Sequence, residues 1–135
     1  MHGSEWSLNL RPFPQLIPDG WKREDYYQRY REDLVKQAGA CVFISGVRDD
    51  GSLADGVIRE FEIALAANRY PIPIGATGGT AAELWKRVSA NYDRVFGKMP
   101  RRLFDPLNDS GLDDQKLVAA SGAMLDWLKK NDPHA

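Results

Sequence analysis

Apolar and polar positions alternate along this chain in short blocks, and each block predicts a different element. Residues Trp6 to Leu10 alternate weakly, which predicts a short edge strand. Pro12, Pro14 and Pro18 then impose an irregular, extended segment up to Gly20. Asp19 is placed to cap a helix from about Trp21 to Ala38, closed by Gly39, with Tyr27, Tyr30, Leu34 and Ala38 as its apolar stripe. Cys41-Val42-Phe43-Ile44 is a continuous apolar run between Gly39 and Ser45-Gly46, which predicts a strand buried on both faces.

A polar loop from Val47 to Asp55 leads to a second helix, about Gly56 to Asn68, whose buried face carries Val57, Phe61, Ala64 and Leu65. Pro71-Ile72-Pro73-Ile74 has the composition of another short strand. Pro73 requires that this strand lie at a sheet edge, or that the proline fall where no ladder bond is needed. Gly75-Ala76-Thr77-Gly78-Gly79 is a glycine-rich turn, and Thr80-Ala81-Ala82-Glu83 is a capping box that starts a helix running to about Phe96. After a loop from Gly97 to Ser110, a last helix covers roughly Asp113 to Lys130, with Leu117, Ala120, Met124 (or Leu125) and Leu128 facing inward. Strand, helix, strand, helix in succession predicts a parallel α/β unit with a right-handed crossover. The chain thus divides into an edge strand and proline-rich lead-in (1–20), an α/β domain (21–130) and a tail (131–135).

Composition narrows the function classes. The 135 residues fit one domain, and 43% hydrophobic with 27% charged residues is the balance of a folded soluble chain. A net charge of −1 argues against non-specific nucleic-acid binding, and Lys98, Arg101 and Arg102 are too few to change that. No apolar run is long enough to cross a bilayer, and the first residues do not form a secretory signal. The single cysteine, Cys41, excludes an internal disulfide, is compatible with a cytoplasmic location, and is expected to be inert inside its strand. His2 and His134 both lie near the termini, so histidine catalysis and histidine metal sites are poor candidates.

Ligands of an open parallel sheet collect beyond the carboxyl ends of its strands. Two loops are expected there, Ser45-Gly46-Val47-Arg48 and Gly75 to Thr80. The second joins three glycines (Gly75, Gly78, Gly79), two threonine hydroxyls (Thr77, Thr80), the Ala76 backbone and a helix N-terminus, a combination suited to a phosphate but shared with ordinary strand-to-helix turns. Arg48 either forks onto phosphate oxygens or is a surface arginine beside Asp49 and Asp50. Glu60 shares the apolar face of the second helix with Val57 and Ala64, so it must snorkel, pair with an arginine, or bind a ribose hydroxyl or base amine. Arg31 borders the tyrosine stripe and either leans toward the same cleft or pairs with neighbouring acids. The tyrosines and Trp85 are expected in the core.

Four segments together resemble a known family: Tyr30-Arg31-Glu32-Asp33, Val42 to Gly46, Gly56 to Ala64 (with Glu60-Phe61-Glu62-Ile63-Ala64), and Ile72-Pro73-Ile74-Gly75-Ala76-Thr77-Gly78. In this order, from about Leu10 to Val88, they are similar to the STALD branch of the SLOG superfamily, the C-terminal sensor domain of ThsA-like proteins of the Thoeris antiphage system. The resemblance implies a Rossmann-like parallel sheet flanked by helices, present here as a partial domain that lacks an earlier half and the sirtuin-like NAD-hydrolysing domain. It implies a cyclic ADP-ribose isomer as ligand, no other cofactor, and Arg31, Arg48 and Glu60 as ligand-binding residues. It also implies a homo-oligomer or an associated NAD-hydrolase domain as partner, with no nucleic acid or membrane involved, and no NAD hydrolysis by this chain alone.

Two other readings remain. LOG-type phosphoribohydrolases of the wider superfamily carry a GGxGTxxE motif, and Gly79-Thr80-Ala81-Ala82-Glu83 matches its second half, although Ala76-Thr77 stands where the paired glycines belong. A structural remnant that only mediates assembly would bind no nucleotide.

Overall fold

In a computed structural model, β1 (Ala40–Ile44) and β2 (Tyr70–Ile74) pair parallel and in register, with Val42 opposite Ile72 and Ile44 opposite Ile74. The structure describes residues 17–37, 39–46 and 50–131 and, in the first helix, the side chains of 23–29 and 32. Around the strands run α1 (Arg23–Gln37), α2 (Asp55–Ala66), α3 (Gly79–Ala90), α4 (Tyr92–Phe96), α5 (Arg101–Phe104) and α6 (Asp114–Asn131). Single 3-10 turns fill Gly75–Thr77 and Asp105–Asn108. This is a helix-flanked parallel α/β arrangement of the Rossmann-like kind. The edge strand expected at residues 6–10 lies outside the described residues.

All five residues of β2 are buried, and the two prolines fit for a reason visible in the ladder. The Tyr70 amide donates to Gly39 O at 3.2 Å, so its N–H points toward β1. Alternation by two turns Ile72 and Ile74 the same way and gives positions 71 and 73 the opposite edge, where no bond to β1 is lost. Both options left open for Pro73 hold among the described residues: β2 is an edge strand of the two-stranded sheet, and the proline falls where no ladder bond is needed.

β1 corrects an expectation. Phe43 is buried and meets Phe61 of α2 edge-on at 6.1 Å, but Val42 and Ile44 are 48% and 61% exposed. The strand is covered on the Cys41–Phe43 face by α2, and among the described residues the Val42–Ile44 face stays partly exposed, so it is not fully buried on both faces. A continuous apolar run cannot distinguish these cases, because both faces read as apolar.

The helices differ from expectation at their ends. The Tyr26 amide donates to Lys22 O at 3.0 Å, so α1 starts at Arg23, beyond the reach of Asp19 as a cap. On α2, Phe61 and Ala64 are buried while Leu65, one position further round, is 38% exposed. The helix expected from Thr80 to Phe96 is two helices broken at Asn91, whose side-chain amide donates to Arg87 O at 3.1 Å while its own carbonyl accepts the Arg94 and Val95 amides. The stripe predicted for α6 holds, with Leu117, Met124 and Leu128 buried.

The stretch read as a loop from Gly97 to Ser110 contributes to the core. Phe104 and Leu107 are fully buried. Phe104 stacks on Trp85 at 4.8 Å and tilts against Tyr92 and Phe96 at 5.2 and 5.9 Å, which confirms a core role for Trp85 and Tyr92. Among the described residues, no helix is long and apolar enough to cross a membrane.

Candidate functional site

Parallel pairing puts the carboxyl ends of β1 and β2 on one edge, and their following loops touch there. The Ser45 amide donates to Thr77 Oγ1 at 2.7 Å, and Thr77 Oγ1 in turn donates to Ile74 O at 2.6 Å. The Thr80 and Ala81 amides donate to Gly46 O and Ser45 O at 3.0 and 2.8 Å. Thr80 Oγ1 donates to Gly46 O and accepts the Ala54 amide at 2.8 Å. Ser45 adopts φ 46°, left-handed backbone unusual for serine, and Gly46 follows at φ 86°, so the chain turns sharply as it leaves β1.

These bonds change what the glycine-rich turn offers an anion. A hydroxyl has a single proton to donate, and those of Thr77 and Thr80 already go to carbonyls within the chain. Two first-turn amides of α3 are likewise occupied by Ser45 and Gly46. Gly75 lacks a side chain for a packing reason: a Cβ there would lie 2.4 Å from Asn108 Oδ1 and 2.9 Å from Trp85 Cβ. Gly78 differs. Its φ of 80° with ψ of −165° excludes other residues, and nothing lies within 4 Å of its Cβ position, so the open approach to the turn is at Gly78. Ala76 sits between, half-buried in the 3-10 turn, and Gly79 begins α3.

The capping box is not formed. Gly78 is the N-cap residue, with no side-chain cap bond. Thr80 lies inside the first turn and faces inward, while Glu83 pairs with Arg87 at 3.0 Å on the exposed side. The Thr-x-x-Glu spacing is present, but the helix starts one residue before the threonine, so neither side chain reaches the orphan amides.

Glu60 is half-buried on α2, about 7.5 Å along the axis from Asp55 at the rate of 1.5 Å per residue. Its carboxylate is one of the charges that act on the Cys41 thiol of β1. Burial first, then Glu60, pushes that thiol from 9.0 to about 11, against an opposing pull from the Arg69 guanidinium. Cys41 is therefore protonated at neutral pH and a poor nucleophile, as its place in an apolar strand predicts. Arg31 is carried by α1, which packs on α2. Arg48 lies outside the described residues, as does the Arg31 side chain. The structure thus joins Ser45, Gly46, Thr77 and Thr80 by direct bonds, and places Glu60 further down the adjoining helix.

Three participants carried no signal in the sequence. Ala54 matters through its amide, Asn108 through the space it takes beside Gly75, and Arg69 through its charge near Cys41. Their partners stand many positions away, where local periodicity says nothing about them.

The chain is 40% identical over 96 residues to the NAD(+) hydrolase ThsA of Cytobacillus dafuensis, covering 69% of this chain and 19% of that protein. It is 35% identical over 117 residues to the NAD(+) hydrolase ThsA of Bacillus cereus (strain MSX-D12), covering 82% and 24%. Against the NAD(+) hydrolase ThsA of Acinetobacter baumannii (strain 532279) it is 32% identical over 124 residues, covering 83% and 26%. The chain therefore spans about a fifth to a quarter of the length of these curated relatives. A family model matches residues 2–127, wider at both ends than the resemblance expected from about Leu10 to Val88. By that match the chain belongs to STALD, the Sir2- and TIR-associating SLOG family.

Proposed function

We propose that this chain is a nucleotide-sensing regulatory module of antiphage defence, and that its ligand is a cyclic ADP-ribose-type signal. The observation that carries this reading is the meeting of the Ser45-Gly46 and Gly75–Thr80 loops at one edge of the parallel sheet, in a STALD-family chain. In this reading the open backbone at Gly78 admits an anionic group, with Gly75, Ala76 and Gly79 shaping the turn around it. Ser45, Gly46, Thr77 and Thr80 hold the rim. Arg48 and Arg31 meet the pyrophosphate, and Glu60 accepts hydrogen bonds from ribose hydroxyls or a base amine. Binding would shift an assembly equilibrium, of this chain with itself or with an NAD-hydrolase domain, only by the difference in its affinity for the two states. The NAD(+) hydrolase activity named for the relatives is proposed to reside in a companion domain, with this chain as its sensor. A cytoplasmic location follows from that role.

Thermal unfolding with and without cyclic ADP-ribose isomers tests the reading, with Arg48→Ala and Glu60→Gln alongside. Ligand at 100 times its Kd adds about 2.7 kcal/mol, a shift of several degrees for a domain of this size. A shift in the wild type that both variants lose supports a sensor. An unshifted, cooperative melt with every isomer sinks it and leaves an assembly role. Release of free base from a nucleoside monophosphate would instead support the LOG-type reading, which the Glu83–Arg87 pairing does not favour.

A further inference from the structure

A single buried hydroxyl closes the connection between β1 and α2. Gly46 is the second residue after β1 and Ala54 the last before α2, so they bracket the connection. Thr80 Oγ1 donates to the carbonyl of the first and accepts the amide of the second. Thr80 is fully buried on the first turn of α3, so water cannot replace either bond without the site opening. The fit is tight: a Cβ added at Gly46 would stand 3.4 Å from Thr80 Cβ and 3.3 Å from Val57 Cγ2. Gly46 O accepts from the Thr80 amide as well as the hydroxyl, so the carbonyl end is held twice. The Ala54 end has the hydroxyl, and Ala54 O accepts the Val57 and Ile58 amides, which ties that end to the start of α2.

We infer that Thr80 is a positioning residue: it holds both ends of the β1–α2 connection against α3 and so sets ligand affinity without touching the ligand. The inference rests on the nucleotide-binding reading above. Its logic is preorganisation. A rim whose backbone is already fixed at Gly46 and Ala54 loses less conformational freedom on binding, and the saving appears as affinity. Thr77 does the parallel work on the other loop, tying Ser45 N to Ile74 O through one hydroxyl. Thr80 differs in joining three elements, β1, α2 and α3, at one atom.

The test compares wild type with Thr80→Val, which keeps the shape and removes the hydroxyl, and Thr80→Ser, which restores it. Two readouts are taken on the full chain: hydrogen–deuterium exchange of peptides covering residues 50–56, against peptides of β2 as an internal standard, and affinity for whichever cyclic ADP-ribose isomer shifts wild-type melting. The expected result is faster exchange confined to 50–56 and affinity at least tenfold weaker in the valine variant, with both restored in the serine variant. Unchanged exchange at 50–56 in a folded Thr80→Val protein overturns the inference, as does unchanged affinity with a lowered Tm. If wild type binds none of the isomers, the nucleotide reading fails, and the exchange comparison still decides whether Thr80 closes the connection.

Discussion

Gly75 sits against Asn108 so closely that a methyl group on it would lie 2.4 Å from the Asn108 side-chain oxygen. The two residues are brought together by the 3-10 turns at Gly75–Thr77 and Asp105–Asn108, which pack on one another. The glycine is explained by this contact, with no anion required. Asn108 is exposed and able to swing away, but Trp85 Cβ, at 2.9 Å on the other side, is fixed by the α3 backbone. Gly75→Ala is expected to destabilise by about 1–3 kcal/mol, the usual range for overpacking. Urea denaturation should show a lower midpoint with an unchanged slope, and adding Asn108→Ala should recover only part of it.

Phe104 lies at the centre of the aromatic cluster with Trp85, Tyr92 and Phe96 and is fully buried. Phe104→Ala is expected to cost about 3–5 kcal/mol through lost burial and the cavity left behind. A second variant, Phe104→Leu, should lose markedly less, and the comparison is read in the same denaturation experiment.

Arg101 lies over Tyr92 at 4.7 Å and Phe104 at 5.6 Å, and its guanidinium bonds Ser89 Oγ at 2.7 Å and Asp105 Oδ1 at 3.2 Å. This geometry needs a flat, forked cation. Arg101→Ala is expected to cost about 1 kcal/mol and Arg101→Lys to recover little of it, because an ammonium cannot stack and bond both partners together. Thermal melts at low and high salt should differ only slightly, since the stacking part is not screened.

Alkaline pH should weaken the fold in two overlapping steps. Burial raises the Cys41 thiol to about 11 and the Tyr92 hydroxyl to about 12, the latter despite the nearby Arg101. Both groups are held neutral in the folded chain, so the unfolded chain loses its protons first as pH rises. Stability is fully present below about pH 9 and declines from there through pH 11 for Cys41, and from pH 10 through 12 for Tyr92. Tm measured at pH 8 and 10.5 should fall less in Cys41→Ala than in wild type. An equal fall in both would show that the thiol is not responsible. Cys41 should also resist alkylation at pH 8 until the protein is unfolded.

Ser45 carries its left-handed backbone at φ 46° as a cost to the fold. Ser45→Gly is expected to be neutral or stabilising by up to about 1 kcal/mol, and Ser45→Val destabilising by more than that, because a β-branched side chain is least suited to this conformation. Chemical denaturation of the pair decides it. A glycine variant clearly weaker than wild type would mean that the serine side chain contributes something the backbone angle does not reveal.

The sequence by itself determined the succession of the first helix, β1, α2, β2 and the start of α3, the inward stripe of α6, the inertness of Cys41 and the four motif segments that carry the family resemblance. Each of these depends on residues within a turn or two of one another, which is the range over which helix and strand periods act. It could not determine which side of β1 is covered, since Val42 and Ile44 are as apolar as Phe43 and only the position of α2 separates them. Nor could it place the helix break at Asn91, because Leu84, Val88, Tyr92 and Val95 continue one apolar stripe across it. The two loops could be read from the sequence, but the hydrogen bonds within them could not. Thr80 and Glu83 have the spacing of a capping box, yet the Thr80 hydroxyl goes to Gly46 and Ala54, 34 and 26 positions away. Hydrogen-bond partners at that separation are chosen by how the strands and helices pack, and only the tertiary structure makes that choice.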